Sequence, residues 1–278
     1  MLGRMNRIAL FLTNHAIKFD SEKEAQMREW ITGRNPVYEV LRARRRDVFR
    51  LWLAAGVEEK GKVAEILKLA AARKLKVERV TRGQIDGLDE ASEQAQGIAL
   101  ETSAYPYAAL ADILIYAKER REPLFVLVLD MIQNPQNLGT LLRTAEVVGV
   151  HGVVMPLARA AGVTPAVVHA SVGASEHLRV APVNLAQAIV DLKKAGAWVI
   201  GLEGGEEAQL AHSVRLDGPL ALVVGNEGEG MRPLVRKSCD VLMRLPMRGQ
   251  IESLNAAVAG SVALYLALAA REKGMAVK

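Results

Sequence analysis

The chain is poor in the residues that staple, stack or anchor a protein. Of its 278 residues one is cysteine, Cys239. That excludes a disulfide framework and any zinc site built from several cysteines, and it suits a reducing compartment. Aromatics make up 4%, too few for an interface that stacks many bases. No apolar run reaches the ~20 residues of a membrane-spanning helix; the longest, Ala256 to Ala270, is interrupted by Gly260 and Ser261. Arg4 and Arg7 precede Ile8–Leu12, but that core is short for a signal peptide and no small-x-small site follows it. Internal repeats and low-complexity tracts are missing as well. The expectation is a cytoplasmic globular protein that does not enter a membrane.

What is present is ordinary in amount and uneven in placement. Hydrophobic residues are 50% and charged residues 24%, a globular composition, and the length suits one large domain or two small ones. The net charge is +5. Between Arg28 and Arg82 there are 15 basic and 7 acidic residues, a larger excess than that of the whole chain. The first part of the chain is therefore the part that leans towards a polyanion.

Two patterned units follow. In the first, Asn35 reads as a helix cap with Pro36 at the first helical position, and the helix runs to about Arg44. Val48–Ala54 reads as a strand, Gly61–Lys74 as a helix with Val63, Ile66, Leu67 and Ala70 on one face, and Lys76–Val80 and Gly97–Glu101 as short strands. Residues 107–122 read as a linker helix. The second unit opens at Leu124–Leu129 and continues with strands at Gly152–Met155, Trp198–Leu202, Leu220–Val224 and Val241–Leu245. Apolar strands alternating with helices such as Leu185–Ala195 predict a parallel sheet covered on both faces. The boundaries drawn are 1–29 for an N-terminal extension, 30–106, 107–122 and 123–278. Residues 1–26 read either as lying upstream of a true start at Met27 or as apolar clusters packed on the domain. The 123–278 unit is expected to fold without the first.

Three segments of the second unit carry chemistry. After its first strand comes Asn137-Leu138-Gly139-Thr140-Leu141-Leu142-Arg143. Asn137 is a good helix cap there. Leu138, Leu141, Leu142 and Ala145 form an apolar stripe, with Arg143 turned away from it. On spacing alone Arg143 is either a solvated surface arginine or a functional group at the carboxyl end of a parallel strand, where such sheets bind ligands. The second segment is Gly225-Asn226-Glu227-Gly228-Glu229-Gly230, whose glycines permit close backbone approach but whose order is not a dinucleotide fingerprint. The third is Pro246-Met247-Arg248-Gly249-Gln250-Ile251-Glu252-Ser253-Leu254-Asn255. Ser253 or Asn255 can cap the long helix after it, and with Glu227 they could fix a sugar hydroxyl.

In order and spacing, N-x-G-x-x-x-R, G-N-E-G-x-G and P-M-x-G-x-x-x-S-L-N resemble the SpoU, or TrmH-like, family of RNA ribose 2′-O-methyltransferases. The 30–106 unit is similar to the family's L30e-like RNA-binding domain. The subgroup most resembled methylates a guanosine of bacterial 23S rRNA. The resemblance implies an α/β fold: a C-terminal parallel-sheet methyltransferase domain with a trefoil knot, behind a small N-terminal L30e-like domain. It implies S-adenosylmethionine as cofactor without a metal, held by Gly225, Asn226, Leu245, Pro246, Met247 and Leu254. It implies a homodimer through the C-terminal domain and large-subunit rRNA as partner. Arg143 takes the place of the catalytic arginine. It would polarise the attacking hydroxyl and pass on its proton, with Asn137, Glu227, Ser253 and Asn255 positioning it. Arg34, Asn35, Arg44, Arg45 and Arg46 are the candidate RNA contacts. The sequence departs from the family where Ala256-Ala257 follow Asn255 and where Ala95 precedes Gln96-Gly97. The competing readings are a tRNA methyltransferase and a non-catalytic RNA-binding protein.

Overall fold

The computed structural model describes residues 28–88, 95–158, 160–251 and 253–276. The expectations for residues 1–26 lie outside them. The first unit contains the strand β1 (Arg28–Thr32), the helix α1 (Arg34–Ala43), β2 (Val48–Ala54), α2 (Lys62–Ala72), β3 (Lys76–Val80), α3 (Arg82–Asp86) and β4 (Ile98–Ser103). Its sheet runs β1-β4-β2-β3, antiparallel except for β2 with β3. β1 is a strand that begins inside the expected N-terminal extension; Arg28 pairs with Ser103. Asn35 does not cap α1. Gly33 holds that position at φ 91°, and the helix begins one residue earlier than its best capping side chain.

A connecting helix, α4 (Leu110–Arg120), leads to the second unit. That unit runs through β5 (Phe125–Leu129), α5 (Pro135–Val147), β6 (Gly152–Pro156), α6 (Pro165–Ala170), a 3₁₀ turn (Ala174–His177), β7 (Val180–Val183) and α7 (Leu185–Lys194). It continues with β8 (Trp198–Leu202), β9 (Gln209–Leu210), β10 (Leu220–Val224), α8 (Pro233–Ser238), β11 (Val241–Arg244) and α9 (Ala256–Ala276). The sheet order is β7-β6-β5-β10-β8-β11-β9, with every pairing parallel. The five expected strands are present. The two unexpected ones are the sheet edges: β9 has two residues, and β7 carries Pro182, which an edge strand tolerates.

Successive side chains of the central strands enter opposite cores, as the twofold strand period requires. Leu127, Leu129, Leu222 and Val224 pack with Leu138, Leu141 and Leu142 of α5 and Leu264 of α9. Val126, Val128, Ala221 and Val223 pack with Ile113 of α4 and Leu185, Ile189 and Leu192 of α7. The first of these cores does not stop at the unit boundary: Ile31, Val37, Val40 and Leu100 belong to the same buried cluster as Val167, Val168 and Leu138. Removing the first unit would therefore bare an apolar face of the second. No helix among the described residues is long and apolar enough to cross a membrane.

Gly139 shows how tightly α5 is seated. A Cβ there would lie 2.4 Å from Ala170 Cβ and 2.9 Å from Ala170 C. The neighbour is the backbone of α6, which cannot swing aside as a flexible side chain does. Gly139→Ala is expected to cost about 1–3 kcal/mol through overpacking, read as a lower urea midpoint at unchanged slope.

Candidate active site

Parallel strands deliver their carboxyl ends to one edge of the sheet, and the three chemical segments are the loops that leave β5, β10 and β11 there. The first loop is anchored by Asp130, fully buried at the end of β5. Its carboxylate accepts from Arg232 Nε at 2.7 Å and from Arg232 N at 2.8 Å, and its own N–H donates to Val224 O at 2.8 Å. Asp130 is not among the residues that the motifs single out. A lone carboxylate directly after a wholly apolar strand is the signal that could have found it, since a buried charge needs a partner.

The helix α5 is capped by Asn134 and not, as expected, by Asn137. The Asn134 side-chain oxygen accepts from Gln136 N at 2.8 Å and Asn137 N at 3.3 Å, with Pro135 at the first helical position. Asn137 is thereby free for another task. Its Nδ2 donates to Glu227 Oε1 at 2.9 Å.

The Gly225–Gly230 loop closes on itself. Asn226 and Gly230 exchange both backbone hydrogen bonds at 3.0 Å, and a Cβ on Gly225 would sit 2.4 Å from Gly230 C. That leaves glycine as the one residue that fits at 225, and it holds Glu227 at the loop's tip. Glu227 Oε1 accepts from Asn137, from Asn255 Nδ2 and, at 3.2 Å, from the Ala256 N–H. Asn255 Nδ2 also donates to Asn137 Oδ1 at 3.1 Å, while its Oδ1 caps α9 through Ala257 N at 2.9 Å and Val258 N at 3.1 Å. One carboxylate thus ties three loops together at a helix N-terminus, where negative charge is favoured. Glu227 Oε2 has no donor among the described residues.

The structure brings Asn137, Glu227 and Asn255 together and leaves Arg143 and Ser253 outside that cluster. Both are exposed and have no hydrogen-bond partner among the described residues. Arg143 lies six residues beyond Asn137, about 9 Å along the axis and about 120° around it. Beside it, Thr144 Oγ1 meets Ser261 Oγ of α9 at 2.9 Å.

The segment after β11 is open. From Met247 to Leu254 no described backbone N–H bonds to a protein carbonyl. Met247, Ile251 and Leu254 stand 41%, 73% and 41% exposed. Unpaired backbone polar groups beside bare apolar side chains suit a ligand that has an apolar ring system and hydrogen-bonding edges. Among the described residues no cluster of His, Cys, Asp and Glu could hold a metal ion. Cys239 is not reactive: burial pushes its thiol up to about 12, and it packs near Gly201.

The five candidate RNA contacts divide. Arg34 lines a cleft of about 600 Å³ with Lys60, Arg82, Gln96 and one carboxylate, Glu58, which pairs with Lys60 at 3.4 Å. Asn35 and Arg44 are exposed. Arg45 and Arg46 point the other way, into the seam between the units. Arg46 is buried against Glu176 and Glu29, and Arg45 donates to Pro106 O at 2.9 Å and to Leu178 O. The expectation that these two meet RNA is corrected: a run of three arginines records charge and not direction, and only Arg44 of the run stays on the surface.

Residues 124–265 match the SpoU rRNA Methylase family, and residues 30–108 match the RNA 2′-O ribose methyltransferase substrate binding family. YacO of Bacillus subtilis (strain 168), named for the TrmH family of tRNA/rRNA methyltransferases, is 39% identical over 244 residues, 87% of this chain and 95% of that protein. The fold is that of the SpoU methyltransferase AviRb of Streptomyces viridochromogenes, solved in complex with AdoMet. The TM-score is 0.73 at 21% identity, over 98% of this chain and 100% of that one. An AdoMet-bound rRNA methyltransferase of Sinorhizobium meliloti aligns with a TM-score of 0.71 at 21% identity, over 89% of each chain.

Asn255 serves the cap and the Glu227 tie at once, and two substitutions separate them. Asn255→Ala is expected to cost about 1 kcal/mol, the ordinary worth of a cap. Asn255→Asp keeps the cap but faces Glu227 with a second carboxylate. It should be the less stable of the two at neutral pH and recover as pH falls, starting above the ordinary carboxylate range because like charges in contact favour protonation of the pair. Urea titrations at several pH values check both.

Proposed function

The chain belongs to the SpoU rRNA methylase family and is an RNA 2′-O-ribose methyltransferase; we propose that it transfers the methyl group of S-adenosylmethionine to a guanosine of 23S rRNA. The observation that carries the catalytic part is the Asn137–Glu227–Asn255 tie at the carboxyl edge of the sheet, with Asn137 on the helix that also carries the exposed Arg143. The choice of rRNA rests on the presence of the L30e-like first unit, and both it and guanosine rest on the resemblance to the bacterial subgroup.

In this reading Gly225, Asn226, Leu245, Pro246, Met247 and Leu254 hold the cofactor, largely through the backbone of the two loops. When bound, the cofactor supplies a sulfonium methyl, already a good electrophile. What the protein must add is alignment, worth several kcal/mol when reacting atoms are held at about 3–3.5 Å, and a more nucleophilic hydroxyl. Glu227 Oε2, open beside three occupied bonds, is placed to accept from a ribose hydroxyl. Ser253, exposed and unpartnered, is a second positioning group. Arg143, with no carboxylate drawing on it among the described residues, is free to pair with a substrate phosphate, polarise the hydroxyl and pass on its proton.

The knot and the homodimer belong to the same proposal. The long helix α9 leaves β11 and returns across β10 and β8 to α5, a path compatible with a threaded C-terminus. Its far side bares Val258, Val262, Tyr265 and Leu266, each at least 40% exposed. An apolar surface of that extent fits a second copy of the chain.

Arg143→Ala should abolish methyl transfer while cofactor affinity stays within about threefold, a loss confined to the transition state. Transfer at near wild-type rate would overturn the role given to Arg143. Mapping 2′-O-methyl groups across rRNA and tRNA of a deletion strain tests the target; a missing methyl on tRNA alone would replace rRNA with the competing reading. In the cleft, Lys60→Gln with Arg82→Gln should weaken RNA binding and lower the slope of log Kd against log salt by about 0.7–0.9 for each phosphate no longer neutralised, leaving cofactor binding unchanged.

A further inference from the structure

We infer that Arg45 and Arg46 are positioning residues that lock the cationic unit onto the support of α5, so that the enzyme selects a folded RNA whose anchoring element and target ribose lie at one set spacing. The inference rests on the methyltransferase reading above and adds the class of substrate that the two-unit body can accept.

The Arg46 side chain is fully buried. Its Nε and Nη2 form a fork on the Glu176 carboxylate at 2.9 and 3.0 Å, and its Nη1 reaches Glu29 at 2.8 Å and Ser103 O at 3.0 Å. Glu29 belongs to β1 of the first unit and Glu176 to the 3₁₀ turn of the second. Burial works against the charge of Arg46, yet Glu176 and Glu29 more than offset it and hold the guanidinium above its ordinary pKa. Arg45 gathers the carbonyls around the same turn, Glu176 O at 3.3 Å and Leu178 O, together with Pro106 O. The Tyr105 hydroxyl sits among them, 2.7 Å from Leu178 O and 3.0 Å from Ser175 O. His177 and Glu39 close the outer rim at 2.8 Å. A Cβ on Gly173 would lie 2.7 Å from Glu39 Cβ and 3.2 Å from Pro36 Cα, so the backbones of the two units nearly touch.

The other side of this segment is seated on α5 through the Gly139–Ala170 contact. The cationic unit, residues 165–178 and the helix that carries Asn137 and Arg143 therefore form one stack with a continuous apolar core. A purely apolar seam tolerates sliding, whereas a bidentate arginine–carboxylate fork fixes angle and register. With the seam fixed, the span from the Arg34–Lys60–Arg82 cleft to Arg143 is fixed too. An RNA that meets both ends in its own folded shape binds without an ordering cost. A short flexible strand gains the cleft or the site, but no alignment from holding both.

The test uses the full chain with three readouts: RNA and cofactor affinity, kcat on a folded RNA, and the distance between fluorophores at K68C and K237C in a C239A background. Arg45→Ala with Arg46→Ala should leave both affinities within about threefold, lower kcat at least about tenfold and broaden the distance distribution. Because that variant strands Glu176 in the seam, a second one, Arg46→Met with Glu176→Met, replaces the buried pair with apolar volume. It should restore stability but leave the distance broad and kcat low at unchanged RNA affinity, because an apolar seam does not fix angle and register; a methionine pair with a narrow distance and full kcat would overturn the inference. An alanine pair with a narrow distance, or a broad distance at full kcat, would overturn the inference. So would a methionine pair whose RNA affinity falls like that of the Lys60 and Arg82 variant. A wild type that methylates no RNA would sink the functional reading alone, since the distance readout tests the lock without it.

Discussion

Every pairing in the larger sheet is parallel, and the placement of the chemistry follows from that constraint. A parallel strand ends at the same edge as its neighbours, so the loops after β5, β10 and β11 emerge side by side although some 90 to 120 residues separate the first from the others in sequence. Parallel strands also have to be covered on both faces. That is why α5 and α9 lie together on one face and bring the amino-terminal ends of two helices to the edge where the loops emerge. Glu227 exploits both consequences: it is carried by one loop, capped by the side chain of a second and aimed at the amino end of the helix that follows the third.

The tie is built from two amides and one carboxylate, and that choice has a chemical meaning. Amides hold position without adding charge, so a single negative charge remains, spread over the α9 N-terminus and its own donors. In the proposed reaction a sulfonium cation is consumed and a proton released, so the reacting centre becomes less positive as transfer proceeds. A strongly anionic site would favour the charged cofactor over the neutral product and so oppose transfer. In the proposed reaction a lightly charged, well-positioned cluster leaves binding to the open apolar loop and orientation to the tie.

The central strands and the three motif loops were legible in the sequence because each rests on a local signal: an unbroken apolar run, or a fixed spacing of glycine and amide. What was not legible depends on the partner. Asn137 is as good a cap as Asn134 by type, and only the helix start, set by Pro135, decides between them. Asp130 carries no pattern of its own; its meaning comes from Arg232, a hundred residues on. β7 and β9 are edge strands, too short or too proline-bearing for periodicity to register. β1 sits where composition changes, and the pairing of Arg28 with Ser103 is a contact over the whole length of the first unit.

The arginine run at 44–46 is the instructive case, because its residues have one identity and two fates. Arg44 sits in a left-handed turn at φ 55° that ends α1 and leaves its side chain in water. The same turn swings the chain so that Arg45 and Arg46 face back under the unit, where Glu29, Glu176 and a set of carbonyls wait. The net positive charge of the first unit is unchanged by this, but its usable part is displaced to the opposite end, where Arg34, Lys60 and Arg82 meet at the carboxyl ends of β2 and β3. A charge count therefore predicts correctly that the unit suits a polyanion and assigns the wrong side chains to it. Of the two arginines turned inward, Arg46 is fully buried at a cost that a solvent-facing side chain does not bear, and that cost is met by Glu176, Glu29 and the Ser103 carbonyl. In the proposed lock, the direction so specified is that of the cleft relative to Arg143.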